Sequence, residues 1–162
     1  MKILMVCLGN ICRSPLAEGI LQDKANKAGL NWQVDSAGTG NWHVGHAPHK
    51  LSQKVAGLNG IDICQQKGRQ FSSDDMNTFD LIFFMDEDNL ADAKQMAGIH
   101  WKPAKAGLLL DSLYPGEKKS VPDPYYGGEV GFHEVFELIS KACDAIIYKF
   151  GKTHPSVINP TV

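Results

Sequence analysis

Three observations predict an α/β fold built on a parallel sheet. Short continuous runs of apolar and β-branched residues alternate along the chain with longer segments whose apolar residues recur at helical spacing. The first run, residues 2–6 (KILMV), passes through the short loop CLGNICR into a helical pattern beginning SPLAEG, so the chain opens as strand, loop, helix. Strands separated by helices must pair through right-handed crossovers, and these cover both faces of the sheet with helices. The expected architecture is one domain over residues 1–150, with four parallel twisted strands and helices on both faces, followed by a loose tail at 151–162 with two prolines and no apolar period.

Each element has its own signal. Residues 2–6 are too short for a signal or membrane-spanning segment and are expected to enter the core directly. Ser14 suits an N-cap and Pro15 a first helical position. Leu16, Ile20, Leu21, Ala25 and Ala28 then recur along one face as far as Gly29. Residues 32–36 read as a second strand, and residues 48–59 as a helix with Leu51, Val55 and Leu58 inward. Residues 79–85 form a continuous apolar strand, residues 86–97 a helix capped by Asp86, and residues 106–110 a fourth strand. In the last helix Phe132, Val135, Phe136, Ile139, Cys143, Ile146, Ile147 and Phe150 share one face, which buries the helix against the sheet.

The loop after the first strand carries the chemistry. Ligands of parallel sheets bind at the carboxyl ends of the strands, where Cys7 lies. Gly9 and Asn10 are the loop residues most tolerant of left-handed backbone. A loop of this kind turns successive N–H groups inward and the following helix adds its positive end, so Leu8, Gly9, Asn10, Ile11, Cys12 and Ser14 would cradle a phosphate-like oxyanion. Arg13 adds a planar fork for two of the anion's oxygens. The same positive surroundings favour Cys7 as a thiolate nucleophile aimed at phosphorus. Other readings of the cysteines are a structural metal pair or inert core thiols. Among four cysteines, Cys64 and Cys143 supply no second Cys-x-x-Cys half, and an inert Cys7 leaves Arg13 and Ser14 unexplained. A Walker-type nucleotide loop is excluded by the absence of a Gly-Lys-Ser/Thr ending.

A thiolate attacking phosphorus needs an acid for the leaving oxygen. Asp123, in VPDPYYGG, stands between two prolines that stiffen its loop, although taken alone it also reads as a turn aspartate. Composition agrees with a compact enzyme: 162 residues, 43% hydrophobic, formal net charge −2. That charge and the lack of basic runs argue against nucleic acid or an anionic membrane as the main partner. The few irregularly spaced cysteines fit a reducing, cytoplasmic setting. No cofactor is implied.

VCLGNICRSPLAEG together with DPYYGG resembles the low-molecular-weight protein tyrosine phosphatases, and the resemblance runs from Met1 to about Lys149, with VDSAGTGNWHVG and FDLIFFMDEDNL in their usual order. The resemblance implies a metal-independent hydrolase acting on phosphotyrosine-containing proteins, as a monomer or weak oligomer. Cys7 would form a phosphocysteine, Arg13 would bind the phosphoryl oxygens, and Asp123 would act first as acid and then as base. Ser14 would donate a hydrogen bond to the thiolate. Asn10, helped by Ser36, would hold the loop's shape, and Trp42, Tyr125 and Tyr126 would wall a deep slot. Depth of this kind suits an aromatic phosphate, whose phosphorus stands farther from the peptide backbone than that of phosphoserine. Core or rim packing is the alternative for these aromatics. The resemblance also implies a reversible Cys7–Cys12 disulfide, against the alternative that Cys12 only packs beneath the loop.

Two positions depart from the family pattern. No histidine occurs in CQQKGRQ, residues 64–70, where relatives often use one behind Asn10, and Gln66 is the expected substitute. His49 follows Pro48 where many relatives have aspartate. His43, His46 and His49 recur at intervals of three but sit in a loop without a fixed face for a metal. Thiol-dependent arsenate reduction, protein arginine dephosphorylation and non-catalytic phosphotyrosine binding remain as other readings. The first needs further relay cysteines, and the last needs no Asp123.

Overall fold

The computed structural model describes residues 1–153. Strand β1 (Lys2–Cys7) is flanked by β2 (Gln33–Gly38) and β3 (Leu81–Phe84), and β4 (Ala106–Leu108) pairs with β3. All pairings are parallel, and the sheet order is β2-β1-β3-β4. The expected four-stranded parallel sheet is therefore observed. From Ile3 onward its β1 strand is apolar and buried because it is covered on both sides. Ile3, Met5 and Cys7 pack with α1 (Arg13–Lys27), α2 (Lys50–Leu58) and α5 (Glu129–Phe150), whereas Leu4 and Val6 belong to a second cluster with Phe71, Met76 and Phe84. Short α3 (Asp75–Thr78) and α4 (Glu87–Ala97) complete that second layer through Met76, Ala93 and Ala97. Ile3, Leu4, Met5 and Val6 are all fully buried, each contributing roughly 2 kcal/mol of apolar transfer.

Several local expectations are corrected. Ser14 is not the N-cap: α1 begins at Arg13 with Cys12 in the cap position, and the Ser14 hydroxyl is turned to Cys7 and Asn10. Leu58 is 67% exposed, because nine-residue α2 buries Ser52, Val55 and Ala56 instead, a stripe at i, i+3 and i+4. Ala28 lies beyond the end of α1 and is exposed. The fourth strand stops at Leu108 and passes into a 3-10 turn over Leu109–Ser112, whose Leu109 and Leu110 remain buried. The α3 turn was not expected, since a single helical turn shows no period. Asp86 does cap α4, its Oδ1 accepting from the Asn89 N–H at 2.7 Å. After α5, Gly151–Thr153 form a 3-10 turn, and the rest of the expected tail, 154–162, lies outside the described residues.

Candidate active site

β1 delivers Cys7 to the carboxyl end of the sheet, and α1 starts only six residues later, so the intervening chain must turn tightly. The turn is made at Asn10, which has φ 55°. Gly9 was expected to share that conformation and does not; a Cβ there would stand 3.3 Å from the His43 ring, so its small size serves close approach. Bonds from three other segments hold the loop carbonyls. Gly40 N–H donates to Leu8 O at 2.9 Å, His49 N–H to Ile11 O at 2.7 Å, and the Ser52 hydroxyl to Cys12 O at 3.2 Å. In a planar trans peptide the N–H points opposite its carbonyl, so the N–H groups of Gly9, Cys12 and Arg13 are directed away from those partners. Asn10 N–H reaches Cys7 Sγ at 3.3 Å. The loop and the first turn of α1 thus form a nest of donors around the sulfur.

Side chains beneath the loop lock this shape. Ser14 Oγ lies 2.9 Å from Cys7 Sγ, and Asn10 Nδ2 donates to Ser14 Oγ at 2.8 Å and to Ser36 Oγ at 2.9 Å. Asn10 Oδ1 accepts from the Arg69 backbone N–H at 3.1 Å, which orients the amide. With both amide hydrogens directed at the serines, the Ser14 hydroxyl has its own proton available for the sulfur. Gln66 does not take the place behind Asn10 expected of it. Its amide donates to Pro15 O at 3.1 Å, because Arg69 already meets Asn10 through the backbone.

Arg13 is buried and splits its guanidinium between structure and cavity. Nη1 donates to Asp86 Oδ2 at 2.8 Å and to Val121 O at 3.0 Å. Nη2 lies 3.8 Å from Asp123 Oδ2, which leaves the Nε–Nη2 edge as the fork for an oxyanion. Asp123 is both a turn aspartate and a cavity residue: its Oδ1 accepts from the Tyr125 N–H at 3.0 Å, and its Oδ2 faces Arg13. Cys12 is a buried thiol, and burial, reinforced by Cys7 and Asp123, pushes its pKa up to about 12.

These groups open into one cavity of about 330 Å³. Cys7, Cys12 and Arg13 are its buried base, with Leu8, Gly9 and Ile11 also in its lining; Asp123 stands at one side, and Trp42, His43, Tyr125 and Tyr126 form the rim. Asn10, Ser14 and Ser36 lie behind it as buried supports. The rings of Tyr125 and Tyr126 meet edge to face at 4.9 Å, and Tyr125 also meets His49, which stacks on Phe132. Trp42 is held against Gly40, where a Cβ would overlap its ring. Sequence reading did not single out His43 as a rim residue, Asp86 as the partner of Arg13, or Arg69 as the anchor of Asn10. Among the described residues no group of three or more His, Cys, Asp or Glu side chains is arranged to hold a metal, so the three loop histidines form no such site.

A buried thiol in a nest of N–H donors, beside a guanidinium edge and a carboxylate, can transfer a phosphoryl group to sulfur and release it to water. Comparison with known proteins agrees with that chemistry. The model of the family described as low molecular weight phosphotyrosine protein phosphatase matches residues 2–155. The low molecular weight protein-tyrosine-phosphatase YfkJ of Bacillus subtilis is 40% identical over 153 residues, 93% of this chain and 96% of its own. Its crystal structure superposes with a TM-score of 0.86 over 94% of this chain and 95% of that one. A low molecular weight phosphotyrosine protein phosphatase of Schizosaccharomyces pombe is 42% identical over 142 residues, 83% of this chain and 87% of its own. A protein tyrosine phosphatase structure from Entamoeba histolytica, at 37% identity, also reaches 0.86, covering 93% of this chain and 97% of that one. Sequence, fold and the arrangement around Cys7 lead to one conclusion: the chain belongs to the low molecular weight phosphotyrosine protein phosphatase family.

Proposed function

We propose that the protein hydrolyses phosphotyrosine in protein substrates through a phosphocysteine intermediate. The observation that carries this reading is the meeting of Cys7, Arg13 and Asp123 in one aromatic-rimmed cavity. In the first step the Cys7 thiolate attacks phosphorus while the bond to the tyrosyl oxygen breaks, and Asp123 gives its proton to that oxygen. The loop N–H groups and the free edge of Arg13 hold the three remaining phosphoryl oxygens as charge shifts onto them. In the second step the Asp123 carboxylate takes a proton from water as the water oxygen attacks phosphorus. The P–S bond breaks, the thiolate returns, and inorganic phosphate leaves. Asp123 favours turnover over mere binding, which needs no acid.

Two finer readings accompany this one. A reactive thiol suits the reducing cytoplasm. Peroxide attack on the Cys7 thiolate would give a sulfenic acid, which the Cys12 thiol displaces to form a disulfide and water; their shared place on the cavity floor supports that pairing.

Purified protein assayed in parallel on phosphotyrosine, phosphoserine and arsenate is expected to hydrolyse the first much faster than the second and to leave arsenate unreduced. Cys7→Ser is expected to abolish turnover while vanadate still binds. Near-normal activity in that variant would sink the mechanism.

A further inference from the structure

Behind the catalytic loop the hydrogen-bond chain does not end at Ser36. The Ser36 hydroxyl, which accepts from Asn10 Nδ2 at 2.9 Å, donates in turn to Glu18 Oε2 at 2.5 Å. Glu18 lies on α1 one turn beyond Ser14, half-buried, and no histidine reaches it from residues 64–70. A continuous path therefore runs from Glu18 through Ser36, Asn10 and Ser14 to Cys7 Sγ. Its polarity follows from counting protons. The Asn10 amide is oriented by Arg69 N–H on Oδ1, so it can only donate to the two serines. Each serine then has one hydrogen left, that of Ser14 for sulfur and that of Ser36 for an acceptor on its far side. Glu18 is that acceptor.

We propose that Glu18 is a positioning residue of the catalytic loop: by accepting from Ser36 it holds Asn10 in its left-handed turn and keeps the Ser14 hydroxyl donating to Cys7. The proposal rests on the phosphocysteine reading above. Its surroundings make the anchor pH-sensitive. Asp35 on β2 and Arg69 bear on Glu18, and Asp23 of α1 and Asp62 after α2 line the same shallow depression. Arg69, the cation of this group, is already engaged by Asp35 at 3.0 Å and Asp75 at 3.1 Å. Burial, with Asp35 adding to it, outweighs the Ser36 hydrogen bond and Arg69 and raises the Glu18 pKa to about 7. Above neutral pH Glu18 is a carboxylate that only accepts. Below it, Glu18 carries a proton of its own and competes as a donor to Ser36 Oγ, so the Ser36 hydrogen loses its place and the chain loosens.

The test measures Cys7 itself and needs no substrate. Alkylation of Cys7 by iodoacetamide is followed against pH by peptide mapping in the wild type, Glu18→Gln and Glu18→Ala, with vanadate affinity and thermal unfolding measured alongside. Glutamine still accepts from Ser36 but does not titrate; alanine removes the acceptor. The wild-type profile is expected to carry a component near neutral pH that Glu18→Gln lacks, while Glu18→Gln otherwise keeps the reactivity of the high-pH wild type. Glu18→Ala is expected to move half-maximal alkylation up by roughly one pH unit, the scale of one weakened hydrogen bond to a thiolate, and to weaken vanadate. The proposal is overturned if Glu18→Gln retains the neutral component, or if a folded Glu18→Ala alkylates and binds vanadate as the wild type does. Inactivity of the wild type on phosphotyrosine would defeat the proposed function instead, leaving the alkylation result to judge Glu18.

Discussion

The floor of the cavity and its rim are held in different ways. On the floor and directly behind it, Cys7, Arg13, Asn10 and Ser14 are each no more than 4% exposed, and every one of them is tied to residues distant in the chain or to one another. On the rim, Trp42, Tyr125 and Tyr126 are 66%, 46% and 92% exposed; the two tyrosines meet mainly other rings, and Trp42 lies against Gly40. The difference separates two tasks. Donors that stabilise a transition state must not reorganise when charge develops, so they are built from backbone and buried side chains. Aromatic walls that recognise a substrate ring need only offer flat surface, and loops can supply it. Asp123 joins the two regions, since it faces Arg13 on one side and leads directly into Tyr125 on the other.

The largest effect that tests this division is expected at that junction. Asp123→Asn keeps the size and the Tyr125 turn and loses the transferable proton. Phosphocysteine formation from phenyl or tyrosyl phosphate should slow by roughly two to four orders of magnitude, the usual scale of general-acid help. With p-nitrophenyl phosphate, whose leaving group departs readily, the burst phase should slow much less. Equal losses on both would make Asp123 part of the loop's scaffold rather than its acid.

A smaller effect is expected on the floor, where Cys7 and Cys12 line one cavity and Cys12 stays a thiol at neutral pH. After mild peroxide and then dithiothreitol, the wild type should regain most of its activity through a Cys7–Cys12 disulfide. Cys12→Ser should regain less, as unprotected Cys7 passes to irreversible acids. Peptide mapping that finds oxidised Cys7 never joined to Cys12 would remove the pairing.

The legibility of the molecule follows the same division. The parallel sheet could be read because burial on both faces of β1 and on one face of α5 writes a local period into the chain. The loop residues Cys7 to Ser14 were legible because nest, nucleophile and fork lie within eight residues. Their supports were not, since Asp86 is 73 residues from Arg13, Arg69 is 59 from Asn10, and Glu18 is 18 from Ser36. No period or spacing encodes such meetings; they follow from the crossovers. Ser14 was misplaced as a cap for a different and local reason: its hydroxyl is taken by Cys7 and Asn10, seven and four residues back, once the chain turns at Asn10.

The smallest effect is expected at Trp42, where the floor should be indifferent to the rim. Trp42 is exposed and its ring lies against the Gly40 backbone, so removing it costs the fold little. A ring packed on a substrate ring contributes about 0.5–1.5 kcal/mol, which corresponds to roughly two- to tenfold in kcat/KM. Trp42→Ala should therefore lose about that much on a phosphotyrosine peptide and nothing on a small alkyl phosphate, with vanadate affinity and thermal stability unchanged. Gly40→Ala provides an independent check, since its methyl group would displace the Trp42 ring without removing any aromatic surface. It should reproduce the loss on phosphotyrosine. If Trp42→Ala instead weakens vanadate as strongly as it slows the peptide, rim and floor are one coupled unit, and the separation of recognition from chemistry fails at this site.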